Sequence, residues 1–232
     1  MTPVTILTGF LGSGKTTLLN HLLGQPDMAD TAVLINEFGD VSLDHLFVRE
    51  IDEGITLLSS GCICCTVQGE LVDSLRELYL ERLQGEVPEF TRLLIETTGL
   101  ADPAPIIAAL VRDPMFKSWY ALQGIVTTID AVLGQETLDA QDEAVKQAAV
   151  ADRLVLTKCD LASDEQKQSL KDRLREMNPG ARQVTAEHGA VAADFVLAAG
   201  PFDAEAKGDE VQAWLNAEAY HPHDHDHGHG HD

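Results

Sequence analysis

Residues 9–16 read GFLGSGKT and match the pattern G-x-x-x-x-G-K-[ST] of a phosphate-binding loop. The stretch follows Val4–Thr8, an apolar and β-prone run, and leads into a helical run from about Lys15 to Leu23. This strand–loop–helix context is the one that such a loop requires. Glycines let backbone N–H groups turn toward phosphate oxygens, and the start of the helix adds the positive end of its dipole. The stretch therefore predicts a nucleoside triphosphate site.

The residues of this loop have different expected tasks. Lys15 would reach the β- and γ-phosphates, and the hydroxyl of Thr16 would bind Mg²⁺. A glycine turn that arose by chance is the alternative, and the strand and helix on either side argue against it. The expected nucleotide contacts in the loop are Gly9, Gly12, Ser13, Gly14, Lys15, Thr16 and Thr17.

Strand-like and helical runs alternate along most of the chain. Further strands are expected at Ala32–Asn36, Ile55–Leu58, Leu93–Ile95, Gly124–Ile129, Arg153–Leu156 and Arg182–Thr185. Helices are expected at Gln68–Leu83, from Asp102 onward, and at Glu136–Ala151 and Glu210–Tyr220. Ser163, with Gln166 three residues on, is expected to be the N-cap of a further helix that runs to about Asn178. The alternation predicts an α/β fold of the P-loop NTPase kind, a doubly wound and mostly parallel sheet with helices on both faces. We expect one domain over residues 1–220 and a flexible, His-rich tail over residues 221–232.

The composition restricts the class of partner. The chain has 232 residues and a formal net charge of −22. A charge of this sign argues against nucleic-acid binding, because a phosphate backbone would be repelled. No run approaches the roughly 18 apolar residues of a membrane span, and the first residues lack a basic leader. We therefore expect a cytoplasmic protein, where clustered cysteines indicate metal binding or reactivity rather than disulfides.

A second motif, TKCD at residues 157–160, bears on which base is bound. An aspartate at a strand end, here Asp160, can accept two hydrogen bonds from guanine, and adenine lacks both donors. The aliphatic stem of Lys158 would pack along the base. GTPases usually carry Asn where this chain has Thr157, and an ordinary strand-to-helix turn capped by Asp160 is the alternative. The motif favours GTP over ATP.

Five motifs occur in a fixed order, and together they resemble the CobW-type GTPases. They are the phosphate loop at 9–16, NEFGD at 36–40, GCICC at 61–65, ETTGLADP at 96–103 and TKCD at 157–160. The resemblance implies a P-loop GTPase domain, weak intrinsic GTP hydrolysis and the handling of zinc or cobalt for a client metalloprotein. The family commonly carries a second, C-terminal domain, and we expect this chain to represent the GTPase domain without it.

The cysteine cluster suits a transition metal. Thiolates favour Zn²⁺ and also bind Co²⁺, and in a C-x-C arrangement Cys62 and Cys64 can turn toward one ion. Cys65 is a third candidate ligand or a packing residue, and three buried apolar cysteines are the alternative. Two thiolates do not complete a tetrahedral site, so Glu37 is a candidate for a further ligand.

Three carboxylates are candidates for the hydrolytic reaction beside Lys15. Glu96 follows the apolar end of its strand and is placed to hold Mg²⁺ directly or through water; capping of the ETTG turn is the alternative. Glu37 or Asp40 would orient the attacking water, and a solvated loop or a helix cap is the alternative for both.

The hypothesis that follows is a GTP-hydrolysing metallochaperone that binds metal tightly only with GTP and then delivers it to a client. The alternatives are a cobalt-insertion factor for corrinoid or hydratase maturation, a passive metal buffer and a small-molecule kinase. A nucleotide- or metal-dependent homodimer is expected by analogy alone.

Overall fold

The described residues of the protein form a seven-stranded parallel sheet with helices on both faces. The structure, a computed structural model, describes residues 1–35, 55–59, 67–197, 200, 202, 203, 205 and 207–219. The strands are β1 Thr2–Gly9, β2 Thr31–Ile35, β3 Ile55–Ser59, β4 Arg92–Glu96, β5 Tyr120–Asp130, β6 Arg153–Thr157 and β7 Arg182–Thr185. Their order across the sheet is β3-β2-β4-β1-β5-β6-β7, and every neighbouring pair is parallel. The predicted α/β, doubly wound fold is confirmed.

Most of the described helices lie between successive strands in the chain, and the last two follow β7. The helices are α1 Lys15–Leu23, α2 Val67–Gln84, α3 Ala104–Arg112, α4 Pro114–Trp119, α5 Gly134–Ala140, α6 Asp142–Val150, α7 Asp164–Met177, α8 Ala193–Leu197 and α9 Asp209–Ala219, with a short 3₁₀ turn at Pro26–Met28. Within the described part of the chain, no helix is both long and apolar enough to cross a membrane.

Alternate residues of the central strands face opposite layers, as the two-residue period of a strand requires. Leu7 of β1 and Val126 of β5 pack against α1 and α8. Ile6 and Ile125 pack on the other face, in a cluster that includes residues of α2, α3, α4 and α9. Both faces of these strands are therefore buried, as is usual for strands of a parallel sheet.

Two local predictions can be compared directly with the structure. Ser163 caps α7 as expected: Gln166 N donates to Ser163 Oγ at 3.2 Å, and Ser163 N donates to Gln166 Oε1 at 2.9 Å. The single helix expected at Glu136–Ala151 is wrong, because Gln141 is extended and separates α5 from α6. The break lets Leu138 of α5 and Ala144 of α6 enter the same apolar cluster.

Residues after Gly200 form hydrogen bonds with the amino-terminal edge of the sheet. Phe202 N donates to Leu122 O at 3.1 Å, and Lys207 Nζ donates to Asp152 Oδ1 at 2.6 Å. Val211 and Leu215 of α9 are buried in the cluster that also holds α3. Helix α9 is thus part of the core.

Candidate nucleotide-binding site

The phosphate loop leaves β1 at the carboxyl edge of the sheet and enters α1, and its three glycines, Gly9, Gly12 and Gly14, all have positive φ. At Gly9, φ is 143°, and a Cβ atom would lie 2.3 Å from Thr128 Oγ1. At Gly14, the N-cap of α1, φ is 88°. A side chain at Gly9 would therefore clash with β5, and both positions favour glycine through their backbone angles.

The loop and the first turn of α1 are suited to an anion. Lys15 Nζ donates to Gly9 O at 2.8 Å and to Phe10 O at 3.2 Å, so its ammonium group lies over the loop. Among the described residues, no side chain caps α1 and no acidic residue lies in its first turn. Amide groups at such a helix start are available to phosphate oxygens.

Ser13 is an anchor of the loop in this structure. Its side chain is buried, and its hydroxyl lies 2.7 Å from Thr128 Oγ1. Its backbone N–H donates to Phe10 O at 3.1 Å. A role of Ser13 as a direct nucleotide contact stays a prediction, as it does for Gly9, Gly12, Gly14 and Thr17.

Thr16 and Glu96 come together although they are 80 residues apart in the chain. Thr16 Oγ1 donates to Glu96 Oε1 at 3.2 Å, and Glu96 is only 6% exposed at the end of β4. The register of the sheet causes this, because Leu7, two residues before the loop, pairs with Glu96. Hydroxyl and carboxylate oxygens are ligands that Mg²⁺ accepts, so these two side chains fit the expected magnesium site.

Thr157 connects the TKCD motif to the phosphate loop. Its buried hydroxyl lies 2.7 Å from Ser13 O and 3.2 Å from Ile129 O, with one proton to donate. This contact explains how Thr can stand where GTPases usually carry Asn, because the Thr157 hydroxyl reaches the carbonyl of Ser13 directly.

Lys158 adopts a left-handed backbone conformation, with φ 55°, and its side chain is held by Asp130. Lys158 Nζ donates to Asp130 Oδ2 at 2.6 Å, while Asp130 Oδ1 accepts from the N–H groups of Val132 and Leu133. The aliphatic stem of Lys158 lines a pocket of about 200 Å³ beside the phosphate loop. Sequence reasoning missed Asp130, although its position at a strand end on the same edge was a usable signal.

The last two residues of the motif differ in exposure. Asp160 is exposed, as a residue that accepts hydrogen bonds from a base must be before the base binds. Cys159 is 4% exposed and donates to Leu156 O at 3.2 Å. Burial raises the pKa of the Cys159 thiol. Cys159 is therefore a packing residue.

Several predicted site residues lie outside the described residues: Glu37, Asp40, Cys62, Cys64, Cys65 and the tail 221–232. Their assignments stay predictions. The strands that precede them in the chain are described: Ile35, the last residue of β2, pairs with Glu96 of β4 and with Ser59 of β3. Both strands thus end at the edge that carries the phosphate loop. Within the described ranges, no group of three or more His, Cys, Asp or Glu residues could hold a metal ion.

Comparisons with known proteins agree with this geometry. Residues 3–185 match the family model described as CobW/HypB/UreG, nucleotide-binding domain. The zinc chaperone YjiA of Escherichia coli is 42% identical over 186 residues, which are 80% of this chain and 58% of that protein. The zinc-regulated GTPase metalloprotein activator 1 of Schizosaccharomyces pombe is 36% identical over 194 residues, which are 81% of this chain and 46% of that protein.

A solved structure extends the likeness to three dimensions. The crystal structure of the Zn(II)-bound YjiA GTPase from E. coli has a TM-score of 0.67 and 32% identity, and the match covers 89% of this chain and 65% of that one. This chain spans 46–58% of the length of the two relatives above. With four fifths of its length matched by the family model, the chain belongs to the CobW/HypB/UreG family through its nucleotide-binding domain.

Proposed function

We propose that this chain is the GTP-hydrolysing part of a zinc metallochaperone, which binds the metal through Cys62, Cys64 and Cys65 when GTP is bound and passes it to a client metalloprotein. The observation that carries the proposal is the contact of Thr16 with Glu96 beside the phosphate loop. The two strands that lead to the Glu37 and cysteine motifs end at the same edge. Relatives named as zinc chaperones favour zinc, and Co²⁺ remains chemically acceptable to the same ligands.

Hydrolysis would depend mainly on positioning and on neutralising charge. Thr16 and Glu96 would hold Mg²⁺, which supplies positive charge beside the β- and γ-phosphates when bound. Lys15 would leave the carbonyls of Gly9 and Phe10 and donate to the phosphate oxygens instead. Glu37 or Asp40 would orient the attacking water.

Guanine selectivity would come from the TKCD motif. The exposed carboxylate of Asp160 would accept the two guanine donors, and the stem of Lys158, held at its far end by Asp130, would form one wall of the base site. A base without those donors leaves the carboxylate unpaired, and that loss gives discrimination of several powers of ten in sites of this kind.

Metal and nucleotide would be coupled because both sites depend on segments that start at the same sheet edge. Contacts with a γ-phosphate order such segments in GTPases. Ordering would bring the thiolates together, and loss of the γ-phosphate would release them and the zinc. A coupling free energy of about 1–3 kcal/mol corresponds to roughly 5–150-fold in metal affinity.

A competition titration tests the proposal. Zinc affinity of the full chain is measured against a chromogenic chelator, once with GDP and once with a non-hydrolysable GTP analogue. The proposal expects tighter zinc binding with the analogue, and a Cys62→Ser, Cys64→Ser double variant should lose that difference while keeping the His-rich tail. Equal zinc affinities in the two nucleotide states of the unaltered chain would contradict it.

A further inference from the structure

The segment that follows Glu96 lies directly on the phosphate loop. A Cβ atom at Gly99 would be 2.7 Å from the backbone nitrogen of Leu11 and 2.8 Å from its Cα. Only a residue without a side chain allows an approach of this kind. The backbone around Gly99 is therefore fixed in relation to the loop where a triphosphate would bind.

Helix α6 holds this segment through a fully buried amide. Gln147 is 0% exposed, and its Nε2 donates to Gly99 O at 3.3 Å and to Ala101 O at 3.0 Å. The backbone at Gln147 is itself fixed to the sheet, because Thr127 Oγ1 donates to Gln147 O at 2.7 Å. Helix α6, which is fixed to the sheet, is thus connected to residues 99–101 through the side chain of Gln147.

The oxygen of this side-chain amide has an unusual environment. Gln147 Oε1 is buried and accepts no hydrogen bond from the described residues. A buried polar atom without a partner costs about 1–3 kcal/mol, so an apolar residue would pack here at lower cost if packing were its only purpose. Because an amide both accepts and donates, the same side chain can also bind an N–H of the segment in a second arrangement.

A neighbouring ion pair fixes the far end of the segment. Lys146 Nζ lies 2.5 Å from Asp102 Oδ2, and Asp102 Oδ1 accepts from Ala104 N at 2.9 Å, at the start of α3. Lys146 also lies over the ring of Trp214 on α9, 5.8 Å from its centroid. Two adjacent residues of α6 thus hold residues 99–102.

We propose that Gln147 is a positioning residue for the terminal phosphate of GTP. By binding the carbonyls of Gly99 and Ala101, Gln147 holds the backbone of residues 98–101 beside the phosphate loop. The γ-phosphate, which GTP has and GDP lacks, would bind next to this backbone. Segments in this position respond to that phosphate in GTPases. The inference rests on the proposed GTP-dependent function and adds the residue through which the nucleotide state is read.

The test is the ratio of two affinities. In the full chain, Gln147→Leu removes both hydrogen bonds and keeps an apolar side chain of similar length. Since a hydrogen bond contributes about 0.5–1.5 kcal/mol net, affinity for a non-hydrolysable GTP analogue should fall roughly tenfold. Affinity for GDP should change less than about twofold, because the contacts of the phosphate loop and of TKCD are untouched.

Asn178→Leu is the matched control. Asn178 is also a buried amide, and its Nδ2 lies 3.0, 2.9 and 2.8 Å from Ala148 O, Ala149 O and Ala151 O, at the C-terminal end of α6. This variant should lower the melting temperature at least as much as Gln147→Leu and leave the GTP-to-GDP affinity ratio unchanged. The pair thus separates a structural effect from an effect on the nucleotide state.

A second variant keeps the inference testable if Gln147→Leu fails to fold. Lys146→Met removes the ion pair with the partly exposed Asp102 and should also lower affinity for the analogue more than affinity for GDP. A ratio that stays at the unaltered value in the foldable variants would overturn the role of Gln147. The proposed function fails separately if the zinc affinity of the unaltered chain is the same with the analogue and with GDP.

Discussion

Replacing Thr157 by valine should loosen the phosphate loop without changing the shape of the site. The Thr157 side chain is 3% exposed, and its hydroxyl lies 2.7 Å from Ser13 O. Valine has nearly the same volume and lacks only the hydroxyl. The variant therefore isolates the connection between β6 and the loop.

The expected size of the effect follows from this one contact. A buried hydrogen bond contributes about 0.5–1.5 kcal/mol net, and a buried acceptor that loses its partner costs about 1–3 kcal/mol. We therefore expect a loss of about 1–2 kcal/mol in the free energy of unfolding. In a domain of 150–250 residues this lowers the melting temperature by roughly 2–8 °C. If the loop carries the whole loss, GDP affinity falls roughly 5–30-fold.

Thermal unfolding by circular dichroism, with and without GDP, measures both quantities. Thr157→Ser is the control, since it keeps the hydroxyl and loses only a methyl group, and it should bind GDP nearly as the unaltered chain does. The reasoning is refuted if the valine variant keeps its GDP affinity and melting temperature. It is equally refuted if the serine variant loses as much GDP affinity as the valine variant.

The remaining predictions concern Lys15, Glu96 and Cys159. Lys15→Ala should abolish GTP binding in a calorimetric titration, because the variant lacks the ammonium group that lies over the loop; normal turnover would exclude the loop assignment. Glu96→Gln keeps an acceptor for Thr16 but removes the charge at the magnesium site, so phosphate release should slow about 10²–10³-fold, and an unchanged Mg²⁺ dependence would count against that role. Burial raises the pKa of the Cys159 thiol, so its contribution to stability is complete below its unfolded pKa of about 8.5 and is lost as pH rises above that value. Alkylation of Cys159 at pH 8, followed by peptide mass spectrometry, should accordingly be slow in the native chain, and rapid labelling would contradict its burial.

The sequence predicted those elements of the structure that depend on residues close together in the chain. The phosphate loop, the strand runs and the cap at Ser163 each depend on residues that are neighbours in the chain, and all three are present as predicted. The helix α4 carried a comparable signal that was overlooked: Asp113 caps it by accepting from Met115 N and Phe116 N, and Pro114 occupies its first turn.

Local sequence patterns did not predict the contacts between residues that are far apart in the chain. The hydrogen bond of Thr157 with Ser13 spans 144 residues, and the ion pair of Lys158 with Asp130 spans 28. Gln147 lies in a helix whose apolar pattern would accept a leucine equally well, so nothing in its own neighbourhood indicates the carbonyls that it holds. The register of the sheet creates these contacts, and register depends on the packing of the whole domain.

The affinity of the GTP analogue, measured with and without Zn²⁺ on the same 232-residue chain, tests the central claim most directly. Linkage requires zinc to tighten binding of the analogue by the same factor by which the analogue tightens binding of zinc, roughly 5–150-fold, and to leave GDP binding nearly unchanged. An analogue affinity that does not respond to zinc would contradict a coupled site, whatever the metal affinity of the cysteines.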